Sequence, residues 1–194
     1  MQIFCFRHGK AVPVTEGGKD IDRVLGEIGK NQALDRRAKM GDPRFDLVIS
    51  SPAPRALDTA AIVSGGNEDT FVVVPDLYPD PSKEVGKQID NAFARLAYVP
   101  VAQYLEDPEG KAIMTWAHNV WYEDIKGRLG NAECVAIFGH AVCLQALGIQ
   151  ICEDHGYAAA QIIQLGNLNL GECEGFVINF DDNGMVDGIG LINN

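Results

Sequence analysis

Three short apolar runs, each stopping abruptly at residues suited to chemistry, constrain this chain more than any other feature. Residues 2–6 stop at Arg7-His8-Gly9, residues 46–49 lead into Ser50-Ser51-Pro52-Ala53-Pro54-Arg55, and residues 134–138 stop at Gly139-His140. Short runs rich in Ile, Val and Phe read as buried strands. Helical patterns lie between them. Residues 20–40 carry Ile21, Val24, Leu25, Ile28, Ala33 and Leu34 at helical spacings, with an expected break at Gly29. A further helix follows Pro52 through about Val63 and ends at Gly65-Gly66, since glycine readily takes the left-handed C-cap. Strands alternating with helices predict an α/β fold, three layers (α/β/α) around a mostly parallel central sheet.

About sixty residues separate a third strand at 71–74 from the strand at 134–138. They begin in a proline-rich loop (Pro75, Pro79, Pro81) and hold expected helices at 84–96 and 111–129. A helix at 142–151 follows the last apolar run. The C-terminal stretches 175–180 and 185–191 flank Asp181-Asp182-Asn183-Gly184, a turn signal that predicts a hairpin. The expectation is one domain over residues 1–194, with an insertion at about 75–133 forming a cap.

Charge sharpens the functional reading. The 194 residues carry a formal charge of -11, which disfavours nucleic acid as a partner. The distribution is uneven. Residues 1–55 hold 10 basic and 7 acidic side chains, residues 56–194 hold 6 and 20, and no Lys or Arg follows Arg128. Any anion site must therefore take its arginines from the first quarter of the chain.

Ligands of open α/β sheets bind beyond the carboxyl ends of the strands. If the three apolar strands are parallel neighbours, Arg7, His8, Arg55 and His140 converge on one sheet edge. Two guanidinium forks and two imidazoles make a pocket for a tetrahedral dianion. A helix starting near Pro54 would add a positive dipole end.

RHG after a first strand, SSPAPRALDTA after a second and GHA after a late one resemble the histidine phosphatase superfamily, with its phosphoglycerate mutase-like fold. The resemblance implies a phosphatase that needs no metal or other cofactor and acts through a phosphohistidine at His8. Arg7, Arg55 and His140 would hold the phosphoryl oxygens, Gly9 would let the backbone turn tightly beside the phosphate, and Ser50 would orient the pocket. The resemblance also calls for a carboxylate acid from the loop after the third strand, where Glu84 and Asp80 are the candidates. Lys10-Ala11 after RHG is closer to the bacterial phosphohistidine phosphatases than to the mutases. The implied partner is a phosphorylated small molecule or a phosphohistidine protein. A non-catalytic or slow phospho-ligand-binding protein on the same frame is the alternative.

Other chemistries find little purchase. The four histidines lack HxH, HxxxH and HExxH spacing, so no metal site is expected. GxxxxGK[ST], GxGxxG and GxSxG are missing. Five cysteines without CxxC spacing read as reduced core thiols, and MQIFCFRHG holds no long apolar region. A cytoplasmic protein without a membrane segment is the expectation. His118, Trp116, Trp121 and Tyr122 share one expected helix, either as an aromatic wall for substrate or as an ordinary packed face. Thr59 reads as an internal helix residue, and Cys143 as core.

Overall fold

The computed structural model describes residues 1–156 and 159–193. Six strands form one sheet: β1 (Gln2–Arg7), β2 (Leu47–Ser50), β3 (Val72–Val73), β4 (Cys134–Gly139), β5 (Gly175–Phe180) and β6 (Val186–Ile192). Their order is β3-β2-β4-β1-β5-β6. The first four are mutually parallel, whereas β5 runs antiparallel to β1 and β6 antiparallel to β5. Among the described residues no helix is long and apolar enough to cross a membrane.

Register brings the three motif-bearing strands together. Arg7 pairs with Gly139, and Ser50 with Phe138, so the carboxyl ends of β1, β4 and β2 lie side by side. Ile3, Cys5, Ile49, Val135 and Ile137 are buried without exposure, as strands covered on both faces require.

Helices α1 (Glu27–Lys39), α2 (Pro54–Ser64), α3 (Glu84–Leu96), α4 (Val101–Glu106), α5 (Ala112–Asn119), α6 (Ala141–Asp154) and α7 (Ala159–Asn167) complete the layers. The expected helix at 84–96 is found over those residues. The one expected at 111–129 begins as α5, continues as a π-helical stretch over Val120–Ile125 and tightens to 3-10 at Lys126–Arg128. Helix α4 has only six residues, too few to show a period, and both it and α7 escape the sequence reading.

Gly29 does not break α1 as expected. A Cβ on it would stand 2.4 Å from the Lys10 carbonyl oxygen, and one on Gly9 would stand 2.7 Å from the Gly29 oxygen. The two glycines mark a close crossing of α1 and the loop after β1, one of the uses of a residue without a side chain. Gly65 caps α2 at φ +64°, as the Gly-Gly pair predicts.

Residues 75–133 pack into the same apolar core as the sheet. Leu77, Ile89, Tyr104, Trp121 and Ile125 are buried there with Ile3, Ile49 and Ile137. Trp116 donates its indole N–H to the Asp76 carbonyl at 2.7 Å, and Trp121 to Oδ2 of Asp154 at 2.9 Å, so both rings are anchored.

Candidate active site

A cavity of about 270 Å³ opens at the carboxyl edge of the sheet, and Arg7, His8, Arg55 and His140 all line it. Each arrives from the end of an element. Arg7 closes β1 and His8 follows it, His140 follows β4, and Arg55 lies in the first turn of α2. The backbone holds the segment after β1 firmly: His8 N–H donates to the Gly139 carbonyl at 3.0 Å, and Gly9 N–H donates to the Thr59 hydroxyl at 3.1 Å. That hydroxyl in turn donates to the Arg55 carbonyl at 2.6 Å, so Thr59 ties the loop after β1 to α2.

His8 is 8 % exposed, and its orientation is fixed at both nitrogens. Nδ1 faces the Gly9 carbonyl at 2.7 Å, which requires the proton on Nδ1 and puts the lone pair on Nε2. Nε of Arg55 donates to that lone pair at 3.1 Å. Burial, with the charges of Arg55, Arg7 and Arg23, pushes the His8 pKa down to about 3 against the pull of the Gly9 hydrogen bond. His8 is therefore neutral across the physiological range.

His140 stands opposite, its ring 5.2 Å from that of His8. Arg55 Nη2 approaches its Nδ1 at 3.5 Å, and its Nε2 contacts the Ser51 hydroxyl at 2.9 Å. Burial, His8 and the arginines hold its pKa well below the ordinary histidine value. Both imidazoles are neutral, so the positive charge of the site rests on the arginines.

Arg7 donates to the Leu170 carbonyl at 2.6 Å and lies over the Tyr98 ring, 4.8 Å from its centroid. Its Nε is buried without a hydrogen-bond partner among the described residues. A buried cationic donor left unpaired costs more than a neutral one.

An unforeseen carboxylate enters from a 3-10 turn at Asp20–Asp22. Asp20 lies 2.7 Å from Arg55 Nη2 and 2.9 Å from Arg23 Nη1, and it accepts the Tyr78 hydroxyl at 3.1 Å. Partial burial would raise its pKa, but the hydrogen bonds from Arg23 and Tyr78 and the Arg55 charge bring it below the usual carboxylate value. Tyr78, half-buried beside it, is pushed up to about 12 by burial and the Asp20 charge. No motif marks Asp20, Arg23 or Tyr78, because their roles arise from tertiary contact alone.

Several expected residues lie elsewhere. Glu84 is exposed, accepts from Gln88 at 3.1 Å and lines a neighbouring cavity, and Asp80 caps Ser82 N–H at 2.9 Å beside it. Neither reaches the cavity of His8. The carboxylates that do are Asp20 and Asp90. The Ser50 hydroxyl donates to the Ser51 carbonyl, and the serine touching His140 is Ser51, one residue on. Gly9 serves the crossing with Gly29 and has no positive φ. His118 is exposed against Tyr122, and Trp121 is core, so that aromatic set forms no wall of this cavity. Cys143 does line it, with its thiol pushed up to about 12 by burial and hence protonated.

A family model described as the histidine phosphatase superfamily (branch 1) matches residues 3–78. Over those residues the chain is similar to the histidine phosphatase superfamily. They contain Arg7, His8 and Arg55 but stop before His140. No curated protein matches the chain by sequence. Solved structures share this fold across nearly the whole length. A phosphoserine phosphatase from Entamoeba histolytica, in complex with 3-phosphoglyceric acid, aligns with TM-score 0.63 and 15% identity over 100% of this chain and 97% of its own. A mycobacterial glucosyl-3-phosphoglycerate phosphatase aligns with TM-score 0.61 and 19% identity, covering 98% and 96%. The protein histidine phosphatase SixA complexed with tungstate aligns with TM-score 0.58 and 19% identity, covering 100% and 97%.

Proposed function

We propose that the protein is a phosphatase that transfers a phosphoryl group from a phosphomonoester or phosphoramidate to His8 and then to water. The observation that carries this reading is the His8 ring. Its Nδ1 proton is committed to the Gly9 carbonyl, and its Nε2 lies in the cavity with Arg55 Nε donating to it. Nε2 attacks phosphorus while the bond to the leaving atom breaks, and that atom keeps the electron pair and takes a proton from solvent. The phosphorylated ring gains positive charge, which the hydrogen bond from Nδ1–H to Gly9 stabilises. Water then attacks phosphorus, releases a proton, and returns His8 to its neutral state as inorganic phosphate leaves.

Arg7 and Arg55 supply the charge neutralisation that a metal ion would otherwise bring, so the reaction needs none. The unpartnered Nε of Arg7 supports an anionic occupant. The His140 ring adds a neutral donor or acceptor to the same oxygens.

Rapid acid-base analysis of enzyme quenched with a ³²P-labelled aryl phosphate tests the reading. The expected product is an acid-labile, alkali-stable phosphoenzyme, lost in His8→Ala and indifferent to EDTA. One observation favours a second reading, a phospho-ligand-binding protein without turnover: Arg55 Nε occupies the lone pair that attack requires. Tight binding of inorganic phosphate with neither phosphoenzyme nor phosphate release from a broad panel would select it.

A further inference from the structure

Beyond its phosphate end, the cavity is walled by a different part of the chain. Ile89 and Phe93 come from α3, Tyr98 from the loop after it, Tyr104 from α4 and Ile113 from α5. Ile89, Tyr104 and Ile113 are buried, and Tyr104 has its hydroxyl committed to the Ala97 carbonyl at 2.6 Å, so it offers its ring rather than its oxygen. The Phe93 and Tyr98 rings meet edge to face at 5.0 Å, and Tyr98 also lies under the Arg7 guanidinium. The apolar wall is thus continuous with the phosphate-binding arginine.

The charges of the lining are as informative. Arg7 and Arg55 are its only Lys or Arg side chains among the described residues, and the remaining ionised groups are two carboxylates, Asp20 and Asp90. Arg23, the nearest further arginine named above, is spent on Asp20 and on the Val12 carbonyl at 2.7 Å. A substrate carrying a second anion would find no cation for it and would meet carboxylates. Burying a charge without a partner is costly, whereas burying an apolar body gains about 25 cal/mol per Å².

Resting on the phosphatase reading above, we infer that the substrate is a small phosphomonoester with an aromatic or apolar body and no second anionic group. The wall from α3 to α5 takes the body, and the arginines take the phosphate. Phosphoglycerates and bisphosphates are excluded by charge, and sugar phosphates gain little from a wall of rings and aliphatic groups. A phosphohistidine on a protein surface would have to bring its host into a cavity of about 270 Å³, a volume suited to a small molecule.

The test compares three phosphates that share a primary alkoxide leaving group: 2-phenylethyl phosphate, glycerol 3-phosphate and 3-phosphoglycerate, with a phosphohistidine peptide as a fourth substrate. The expected kcat/KM for the phenylethyl ester exceeds those of glycerol 3-phosphate and 3-phosphoglycerate by tenfold or more, chiefly through KM, and exceeds that of the peptide. Two variants at exposed positions locate the preference. Tyr98→Ala should narrow the gap between phenylethyl and glycerol phosphate at least threefold. Asp90→Arg should raise kcat/KM for 3-phosphoglycerate relative to the phenylethyl ester at least tenfold. Equal use of the three esters, or preference for 3-phosphoglycerate or the peptide, would overturn the inference while leaving the phosphatase intact. Absence of turnover and phosphoenzyme with all four would instead strike the underlying reading.

Discussion

Oδ2 of Asp20 lies 2.7 Å from Nη2 of Arg55, inside the cavity that holds His8. The remaining Arg55 nitrogens are engaged too, Nη1 with the Asp20 carbonyl at 2.5 Å and Nε with His8. The carboxylate therefore holds a face of the guanidinium fork that a phosphoryl group would also seek. Removing it should make anions bind better. Asp20→Ala is expected to lower the inhibition constant of inorganic phosphate by up to about fivefold, the range of a partly exposed ion pair. Weaker phosphate inhibition would mean that Asp20 serves to position Arg55 instead.

The two neutral histidines make a prediction about acid stability. A histidine held neutral in the folded state refuses a proton that the unfolded chain accepts below about pH 6.5. Stability should fall as pH drops from that value toward about 3, where folded His8 begins to titrate. The slope contributed by one such group is at most about 1.4 kcal/mol per pH unit. Urea unfolding of wild type and His8→Asn at pH 7, 6, 5 and 4 should show the variant losing less stability on acidification. Parallel curves would refute the burial argument.

Ser51 and Ser50 should separate cleanly. Ser51→Ala deprives partly buried His140 of its partner at Nε2, and kcat/KM should fall about tenfold, the cost of leaving such a group unpaired. Ser50→Ala removes a hydroxyl that bonds only the neighbouring carbonyl, so steady-state kinetics should change less than twofold while stability drops by about 1 kcal/mol. Glu84→Gln, outside the cavity, should leave alkyl and aryl phosphate kinetics alike unchanged.

The crossing of Gly9 and Gly29 is testable by stability alone. Gly29→Ala drives a methyl group onto the Lys10 backbone and should cost about 3 kcal/mol or more, measured by chemical denaturation. Gly127→Ala meets nothing within 4 Å and has an ordinary φ, so it should be neutral or stabilising by up to about 1 kcal/mol. Comparable losses in both would show that the crossing is looser than its geometry.

The strands and the four convergent residues were legible because each sits where an apolar run ends, and sheet register then does the assembly. Arg7 and Gly139 are paired, so the ends of β1 and β4 could hardly fail to meet. Gly29 misled because glycine lowers helix propensity and also permits close packing, and only the partner backbone tells which applies. The acid was sought at Glu84 and Asp80 by position after the third strand, but α3 turns Glu84 to solvent. Asp20 was invisible for the opposite reason, since its 3-10 turn lies amid a helical pattern and reaches Arg55 only through folding. The apolar wall was hidden because its aromatic residues are scattered over α3, the loop after it and α4. The histidine and tryptophans of α5 and its extension showed the stronger local pattern and pack elsewhere.

The match to the family model ends at residue 78, and the apolar wall begins beyond it, at Ile89 on α3. The proposed nucleophile and the proposed wall thus lie in consecutive stretches of chain, which meet in the core and where Tyr98 underlies Arg7. With the wall outside the matched residues, a likeness recorded in the first eighty residues says little about diet. That placement also marks residues 84–113 as the cassette to exchange when a new specificity is to be engineered onto the same reaction.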